Sequence, residues 1–168
     1  MTLDEANTLP EAAFVERFGG VFEHSPWIAQ RVAGARPFAN VADLHAAMCA
    51  QVEAAGDVEQ LALLCAHPEL SGKAAVAGTI TAESAREQDA AGLLHCSHAE
   101  FAALRRMNAQ YRERFGFPFI VAVRGLDRVG ILARLEERLD SDRDTEFAEA
   151  LRQVERIAAL RLAAMIQA

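Results

Sequence analysis

The apolar residues of this chain recur mostly every three or four positions, which is the period of an amphipathic helix. The clearest example is the stretch 144–166, whose apolar stripe consists of Phe147, Leu151, Val154, Ile157, Ala158 and Leu162. Another stripe, which consists of Ala13, Phe14, Val15 and Phe18, follows Pro10. The pattern therefore predicts an all-α protein, a multi-helix bundle.

The ends of the predicted helices are marked by capping residues, glycines and prolines. Asn7 or Thr8 can cap the first helix, and Ser97 with Glu100 forms a capping box. Gly116 stands where a left-handed residue ends a helix. The stretch 69–80 is predicted to be a loop that could hold a turn of helix. The predicted helices span about 9–18, 26–33, 41–55, 57–66, 82–91, 98–115, 128–139 and 144–166.

One passage does not fit the helical period. Between Gly116 and Gly125 the chain reads Phe-Pro-Phe-Ile-Val-Ala-Val-Arg, which is rich in aromatic and β-branched residues. This composition predicts one short, buried, extended segment near 117–124. Some buried backbone N–H groups there lack an obvious partner and must find one. A ligand would serve, but a loop carbonyl or a water molecule would serve as well, and by itself this pattern favours the latter.

Composition limits the classes of protein and partner. The 168 residues are most simply a single domain, 1–168, and just over half of them are hydrophobic. The net charge of −7 argues against a nucleic-acid partner, because phosphate neutralisation needs a basic surface. No apolar stretch approaches the length of a membrane span and no signal peptide is visible, so we expect no membrane association and a cytoplasmic location. Three cysteines, Cys49, Cys65 and Cys96, are predicted to be buried and free of disulfides.

Candidate chemistry centres on the stretch 65–88. Pro68 must end the helix before it, which leaves His67 at a helix C-terminus, where the dipole raises the pKa of the imidazole. Ser84, Glu87 and Gln88 are spaced i, i+3 and i+4, so their side chains share one helix face. Together these groups would form a compact acid–base site. By spacing alone, a helix stop and a solvated helix face are the commoner interpretation.

Other chemistries have weaker support. His95 and His98 flank Cys96 but lack zinc-site spacing and a further nearby ligand, so no metal site is predicted. His24 and His45 are isolated, and no phosphate-binding loop, dinucleotide fingerprint or nucleophile elbow is present. Cys65 is two residues from His67, which disfavours a cysteine–histidine nucleophile. Arg161 lies in an apolar run, where it must either meet a carboxylate or extend to solvent.

Four blocks, taken in order, resemble the 2-oxo-4-hydroxy-4-carboxy-5-ureidoimidazoline (OHCU) decarboxylase family. They are Phe-Gly-Gly-Val-Phe-Glu-His-Ser-Pro-Trp at 18–27, His-Pro-Glu-Leu at 67–70, Ser-x-x-Glu-Gln at 84–88, and Tyr-x-x-x-Phe-Gly-Phe-Pro-Phe at 111–119. The resemblance extends over 14–161, and the blocks are specific in combination although each alone is weak. It implies an all-helical, cofactor-free and commonly dimeric enzyme, so we expect a homodimer that converts OHCU to (S)-allantoin in urate degradation.

The resemblance also implies residue roles. His67 would be the catalytic acid/base, assisted by Glu87, which acts either as a base or as an orienting group. Arg161 would anchor the substrate anion. The remaining substrate-binding residues would be Pro68, Ser84 and Gln88, together with the backbone of Phe119, Ile120, Val121, Ala122 and Val123. No cofactor and no metal are expected, because the substrate's own C=N bond accepts the electrons released with CO₂.

Two alternatives stay open. The chain could be a non-enzymatic helical module that binds a small ureide or a partner protein. It could also catalyse a different reaction, such as tautomerisation or hydrolysis of a neighbouring intermediate of purine degradation. His67 with Glu87 distinguishes the binding module from an enzyme, because a protein that only binds needs no titrating pair.

Overall fold

The computed structural model describes residues 1–70 and 80–167, and within them it contains helices and no strand. The all-α prediction is confirmed. The predicted loop at 69–80 lies largely outside the described residues. In chain order the α-helices are α1 (Leu3–Thr8), α2 (Glu11–Phe18), α3 (Pro26–Ala33), α4 (Val41–Ala54), α5 (Gly56–Ala66), α6 (Ala82–Ala90), α7 (His98–Phe115), α8 (Arg128–Leu139) and α9 (Arg143–Met165), with a 3-10 turn at Leu93–His95.

Most predicted helix ends are confirmed. They depend on hydrogen bonds between residues close in sequence, so the local pattern was enough to predict them. The Ser97 side chain accepts from the Glu100 amide while the Glu100 carboxylate accepts from the Ser97 amide, so the capping box at the start of α7 is complete. The Thr81 side chain caps α6 by accepting a hydrogen bond from the Ser84 amide. Gly116 ends α7 with a φ of 84°, the left-handed conformation that the sequence predicted.

The N-terminal prediction is wrong. Residues 3–8 form α1, a helix with its own capping box between Thr2 and Glu5. Thr8 therefore ends a helix instead of starting one, and its hydroxyl donates to the carbonyl of Glu5 at 3.0 Å. Asn7 is not a cap either, because its side chain exchanges two hydrogen bonds with the backbone of Phe38.

The chain divides into two compact units, and the first consists of Met1–Ala66 and Val154–Ala168. In this unit α2 packs against α3, α3 against α4 and α4 against α5. The C-terminal part of α9 contributes to its core on an i, i+4 stripe. The core side chains include Phe14, Phe18, Phe22, Ile28, Leu44, Met48, Leu63, Leu64, Val154, Ala158 and Leu162.

The second unit is His67–Gln153, and aromatic rings form much of its core. The ring of Tyr111 lies 4.6 Å from that of Phe115, 5.9 Å from Phe117 and 5.4 Å from Phe119, measured between centroids. These separations are typical of tilted and edge-to-face aromatic pairs, which add to the free energy of area burial. The prediction of one domain over the whole chain stays a prediction.

The passage after Gly116 does not continue the helix, as its composition indicated. Residues 118–123 have no helix or strand, yet the side chains of 119–123 are buried. The predicted burial is confirmed. In the described part of the chain no strand pairs with this segment, so its backbone polar groups need partners of another kind.

The prediction that the cysteines are buried is wrong. Cys65 is exposed while Cys49 and Cys96 are half-buried, and none of the three forms a disulfide bond. Among the described helices, none combines the length and apolar character that a bilayer crossing requires.

Gly116 offers a test of the helix ending. Alanine at Gly116 should lower the free energy of unfolding by about 1–2 kcal/mol, because a side chain disfavours the left-handed conformation. Alanine at Gly34, which has a φ of −77°, should leave stability unchanged or raise it by up to about 1 kcal/mol. A Cβ would meet no atom within 4 Å at either site. The change in the free energy of unfolding, measured with urea, therefore reports the backbone conformational preference and not a steric clash. Equal effects of the two substitutions would contradict this interpretation.

Candidate active site

The segment that begins at His67 is fastened to α7. His67 itself is buried, with 7% of its surface exposed. The Asn108 side-chain amide donates to the Leu70 carbonyl at 2.9 Å, and Arg112, one turn further along α7, pairs with Glu69 at 3.1 Å. The buried bond fixes the backbone more strongly than the half-exposed ion pair does. The residues after His67 are therefore held in place by two side chains of one helix face.

Asn108 carries an additional polar atom. Its Oδ1 is fully buried, and no residue in the described ranges donates a hydrogen bond to it. Asn108 is 3% exposed, so bulk water does not satisfy this acceptor. A buried carbonyl of this kind requires explanation, and here it lies beside the Leu70 carbonyl at the end of the His67 segment.

The polar face predicted on the following helix is present. Ser84 and Gln88 are one turn apart on α6 and are 5% and 2% exposed, while Glu87 is half-buried. Burial of Ser84 and Gln88, with Glu87 half-buried, agrees with the shared face that their spacing predicted. This face is not the solvated one that spacing alone favoured.

The backbone of 119–123 is partly satisfied by side chains from α8 and α9. The Ile120 carbonyl accepts from Arg138 Nη1 at 2.6 Å, and the Ala122 N–H donates to Gln153 Oε1 at 2.9 Å. Within the described ranges, the Val121 N–H and C=O have no hydrogen-bond partner. The protein itself uses the Ala122 N–H, so not every backbone group of the predicted binding segment is left for a ligand.

A buried ionic cluster supports this segment, and the sequence did not point to it. Arg138 Nε donates to Glu146 at 2.6 Å, and the Tyr111 hydroxyl donates to the same carboxylate oxygen. Burial and the bond to Glu146 raise the pKa of Tyr111, so the phenol stays a neutral donor. One signal could have revealed Glu146: it lies four residues before Ala150, on the buried stripe of α9.

Arg161 belongs to the first unit, whereas the other predicted site residues belong to the second. It is 6% exposed and pairs with Glu23, which is 1% exposed, at 2.8 Å. Its Nη1 also donates to the carbonyls of Gly20 and Val21, at 3.3 and 3.4 Å. The expectation that a buried Arg161 meets a carboxylate is confirmed. Glu23 lies in the motif at 18–27, but no feature of the sequence indicated that it pairs with Arg161.

His45 is not isolated, contrary to the sequence interpretation. Its Nε2 lies 2.8 Å from the Glu155 carbonyl and 3.3 Å from Cys49 Sγ, one turn along α4. Burial, with the charges of Glu155 and Glu53, raises the pKa of Cys49 to about 12. The thiol therefore stays protonated at neutral pH and is a poor nucleophile. In the ranges described, no group of three or more histidine, cysteine or acidic side chains could hold a metal ion.

The second unit thus combines groups suited to proton transfer and amide recognition. It contains one buried imidazole, one half-buried carboxylate, a buried hydroxyl and carboxamide on α6, and a backbone segment with unused polar groups. An imidazole can transfer protons near neutral pH, and the neutral groups can hydrogen-bond a ligand rich in amides.

Comparisons with known proteins agree with these observations. The sequence model of the family described as OHCU decarboxylase matches residues 7–163. The chain is 43% identical to a 2-oxo-4-hydroxy-4-carboxy-5-ureidoimidazoline decarboxylase from Haloferax volcanii, with 97% of this chain and 95% of the relative covered. It is 40% identical to the protein of that name from Amia calva, with 99% and 95% covered. A crystal structure of (S)-allantoin synthase superposes with a TM-score of 0.80 at 30% identity, covering 99% of this chain and 54% of that one.

Substitution of Asn108 tests how the residues after His67 are held in place. Replacing it by alanine leaves the buried Leu70 carbonyl without its donor, so the free energy of unfolding should fall by about 1–3 kcal/mol. Arg112→Ala removes a half-exposed ion pair from the same helix face and should cost less than about 1 kcal/mol. Chemical denaturation of the two variants measures the difference. A larger loss for Arg112→Ala would show that the ion pair is the stronger attachment.

Proposed function

The chain belongs to the OHCU decarboxylase family, and on this basis we propose that it decarboxylates 2-oxo-4-hydroxy-4-carboxy-5-ureidoimidazoline to (S)-allantoin in urate degradation. In this proposal it is a carboxy-lyase that needs no cofactor. The observation that carries the proposal is the buried His67 in the same compact unit as the polar face of α6 and the segment 119–123. A buried titratable group in one compact unit with amide-recognising groups suits an acid–base enzyme.

The substrate limits what the protein has to supply. The C–C bond to the carboxylate breaks, CO₂ leaves, and the electron pair moves into the ring, where the nitrogen of the adjacent C=N bond takes up a proton. The hydroxyl group then loses its proton and becomes a carbonyl, while the neighbouring carbon gains a proton. The substrate thus accepts its own electrons, so the protein provides proton transfer and orientation. Delivery of the last proton to one face gives the S isomer.

His67 is the group proposed for these proton transfers. An imidazole can accept the hydroxyl proton and deliver another at a similar pH, since its ordinary pKa is close to neutral. Glu87 is the proposed assistant, which either accepts a proton or orients the group that does. Its half-buried position on α6 beside Gln88 supports a role within the site rather than in solvent.

The binding groups are proposed to recognise the neutral part of the substrate. Ser84 and Gln88 would hydrogen-bond the ureido and ring amides, and Pro68 would shape the wall of the site. The unused N–H and C=O of Val121 would pair with the amide edge of the ring, which offers the complementary acceptor and donor. The other residues of 119–123, which are Phe119, Ile120, Ala122 and Val123, would line the same edge.

Arg161 is proposed to bind the substrate anion. A guanidinium that is buried and always charged is suited to a carboxylate, which it can hold by two parallel hydrogen bonds. Its bond to Glu23 and to two carbonyls keeps the side chain in one orientation.

His67→Ala should lower turnover about a hundredfold or more, because it removes the proposed proton-transfer group. The substrate is generated in situ from urate with urate oxidase and hydroxyisourate hydrolase, and circular dichroism follows the (S)-allantoin signal. His98→Ala is the matched control, because His98 is exposed at the start of α7 and has no proposed role. A folded His67→Ala protein with turnover close to that of the parent protein would refute the role of His67.

The same assay separates the enzyme from the binding module. A protein that only binds a ureide would leave slow, racemic product formation unchanged in every sample. Its affinity for allantoin, measured by calorimetry, would also change little in His67→Asn. Loss of turnover in His67→Asn, with allantoin binding retained, supports the proposal that the protein is an enzyme.

We further propose that the protein acts in the cytoplasm as a homodimer, which is what the family resemblance implies. Cysteines outside disulfide bonds suit the reducing conditions of that compartment. Light scattering on a micromolar sample should give a mass twice the 18.2 kDa of one chain. A mass of 18.2 kDa over that concentration range would contradict the dimer and leave the decarboxylase proposal intact.

A further inference from the structure

The cluster of Tyr111, Arg138 and Glu146 is unusual because it places a full ion pair in the interior of the second unit. Tyr111 is fully buried, Glu146 is 1% exposed and Arg138 is 8% exposed. The three side chains come from α7, α8 and α9, and all of them meet at one carboxylate oxygen of Glu146. A buried ion pair of this kind is weak evidence for stability, because apolar side chains of similar volume often serve as well. Another reason for its presence is therefore needed.

Arg138 connects the cluster to the segment 119–123. Its Nη1 donates to the Ile120 carbonyl at 2.6 Å, and its guanidinium lies over the Phe119 ring, 4.8 Å from the centroid. A guanidinium has several donors in a rigid planar fork, so it can bridge a carboxylate and a carbonyl at once. Glu146 and the Tyr111 hydroxyl hold that fork in a single orientation.

Gln153 attaches the same segment at a second point. It lies on α9 two turns after Glu146, so both side chains leave the same face of the helix. Its Oε1 accepts from the Ala122 N–H at 2.9 Å while its Nε2 donates to Glu149 at 2.7 Å, which sets the orientation of the carboxamide. The segment is thus held at Ile120 and at Ala122.

The two attachment points are alternate residues, and this has a geometric consequence. In an extended backbone the N–H and C=O groups of alternate residues point to the same edge, and those of the residue between point to the other. Residues 118–123 have no helix, turn or bend, so attachment at 120 and 122 directs the N–H and C=O of Val121 away from Arg138 and Gln153. Val121 is 8% exposed, and within the described part of the chain neither of these groups has a hydrogen-bond partner.

We propose that Arg138, held by Glu146 and Tyr111, and Gln153 are positioning residues for substrate binding. They fasten one edge of 119–123 so that the opposite edge presents the donor and acceptor of Val121 to a cyclic amide. This inference rests on the proposed function. It adds four side chains whose loss should weaken ligand binding although none of them is proposed to touch the ligand.

The test replaces the cluster by apolar groups as a unit. In the triple variant Tyr111→Phe, Arg138→Met, Glu146→Leu no charge or hydroxyl is left buried without a partner, so the fold has the best chance of surviving. Gln153→Leu removes only the second attachment, and the side chain that it replaces is half-buried. Arg134→Met is the control, because Arg134 is exposed on α8 and pairs with the exposed Glu137 at 3.3 Å.

Three readouts separate positioning from a purely structural role. We expect KM for the substrate and Kd for (S)-allantoin to rise tenfold or more in the triple variant and in Gln153→Leu, with a smaller change in kcat. Hydrogen–deuterium exchange in a peptide containing 119–123 should accelerate while the helices keep their protection. Arg134→Met should match the parent protein in all three measurements.

The outcomes are decisive. Folded variants whose KM and Kd stay within about twofold of the parent values overturn the inference. If the triple variant does not fold, Gln153→Leu alone decides in the same way. Absence of turnover in the parent protein would defeat the proposed function instead, and the Kd and exchange measurements would still test the positioning role.

Discussion

The second unit depends on one constraint: buried backbone polar groups must find partners even where no helix or sheet supplies them. The segment 118–123 is buried and irregular, so its carbonyl and amide groups cannot use a regular ladder. Arg138 donates to the Ile120 carbonyl, and Gln153 accepts from the Ala122 N–H. The buried Glu146 then compensates the charge of Arg138, and the neutral Tyr111 completes the carboxylate's hydrogen bonding. The buried ionic cluster thus follows from the need to hold a non-helical strip of backbone.

Helix α7 joins the two parts of the proposed site. Asn108 and Arg112, one turn apart, attach the residues that follow His67, whereas Tyr111 packs against the aromatic rings at the N-terminal end of the backbone segment. Because residues three and four apart lie close together on a helix, one rigid element carries both attachments. A reaction that needs little more than proton transfer and orientation requires this kind of rigidity, since a small displacement of the acid–base group is costly in rate.

Helix ends and buried faces were predictable to different degrees. The caps at Thr81 and Ser97 and the left-handed Gly116 involve residues close in sequence, so the local pattern was sufficient. The prediction that Thr8 starts a helix was wrong because the same hydroxyl can cap the start of one helix or bond to the last turn of another. The choice depends on whether residues 3–8 are helical. The polar face of α6 was predicted by spacing, but its burial was not. Spacing alone favoured a solvated face, and only the rest of the fold covers it.

The sequence by itself determined the all-α class, most helix boundaries, the family, and the set of candidate residues around His67. Those properties depend on local periodicity, on capping and on short motifs. Only the tertiary structure decided which charges are buried and what they meet. Arg161 meets Glu23 across 138 positions of sequence, and Arg138 meets the Ile120 carbonyl through the packing of separate elements. The physical reason is that a charge is buried only where distant parts of the chain supply its partner, and no local pattern encodes that distance.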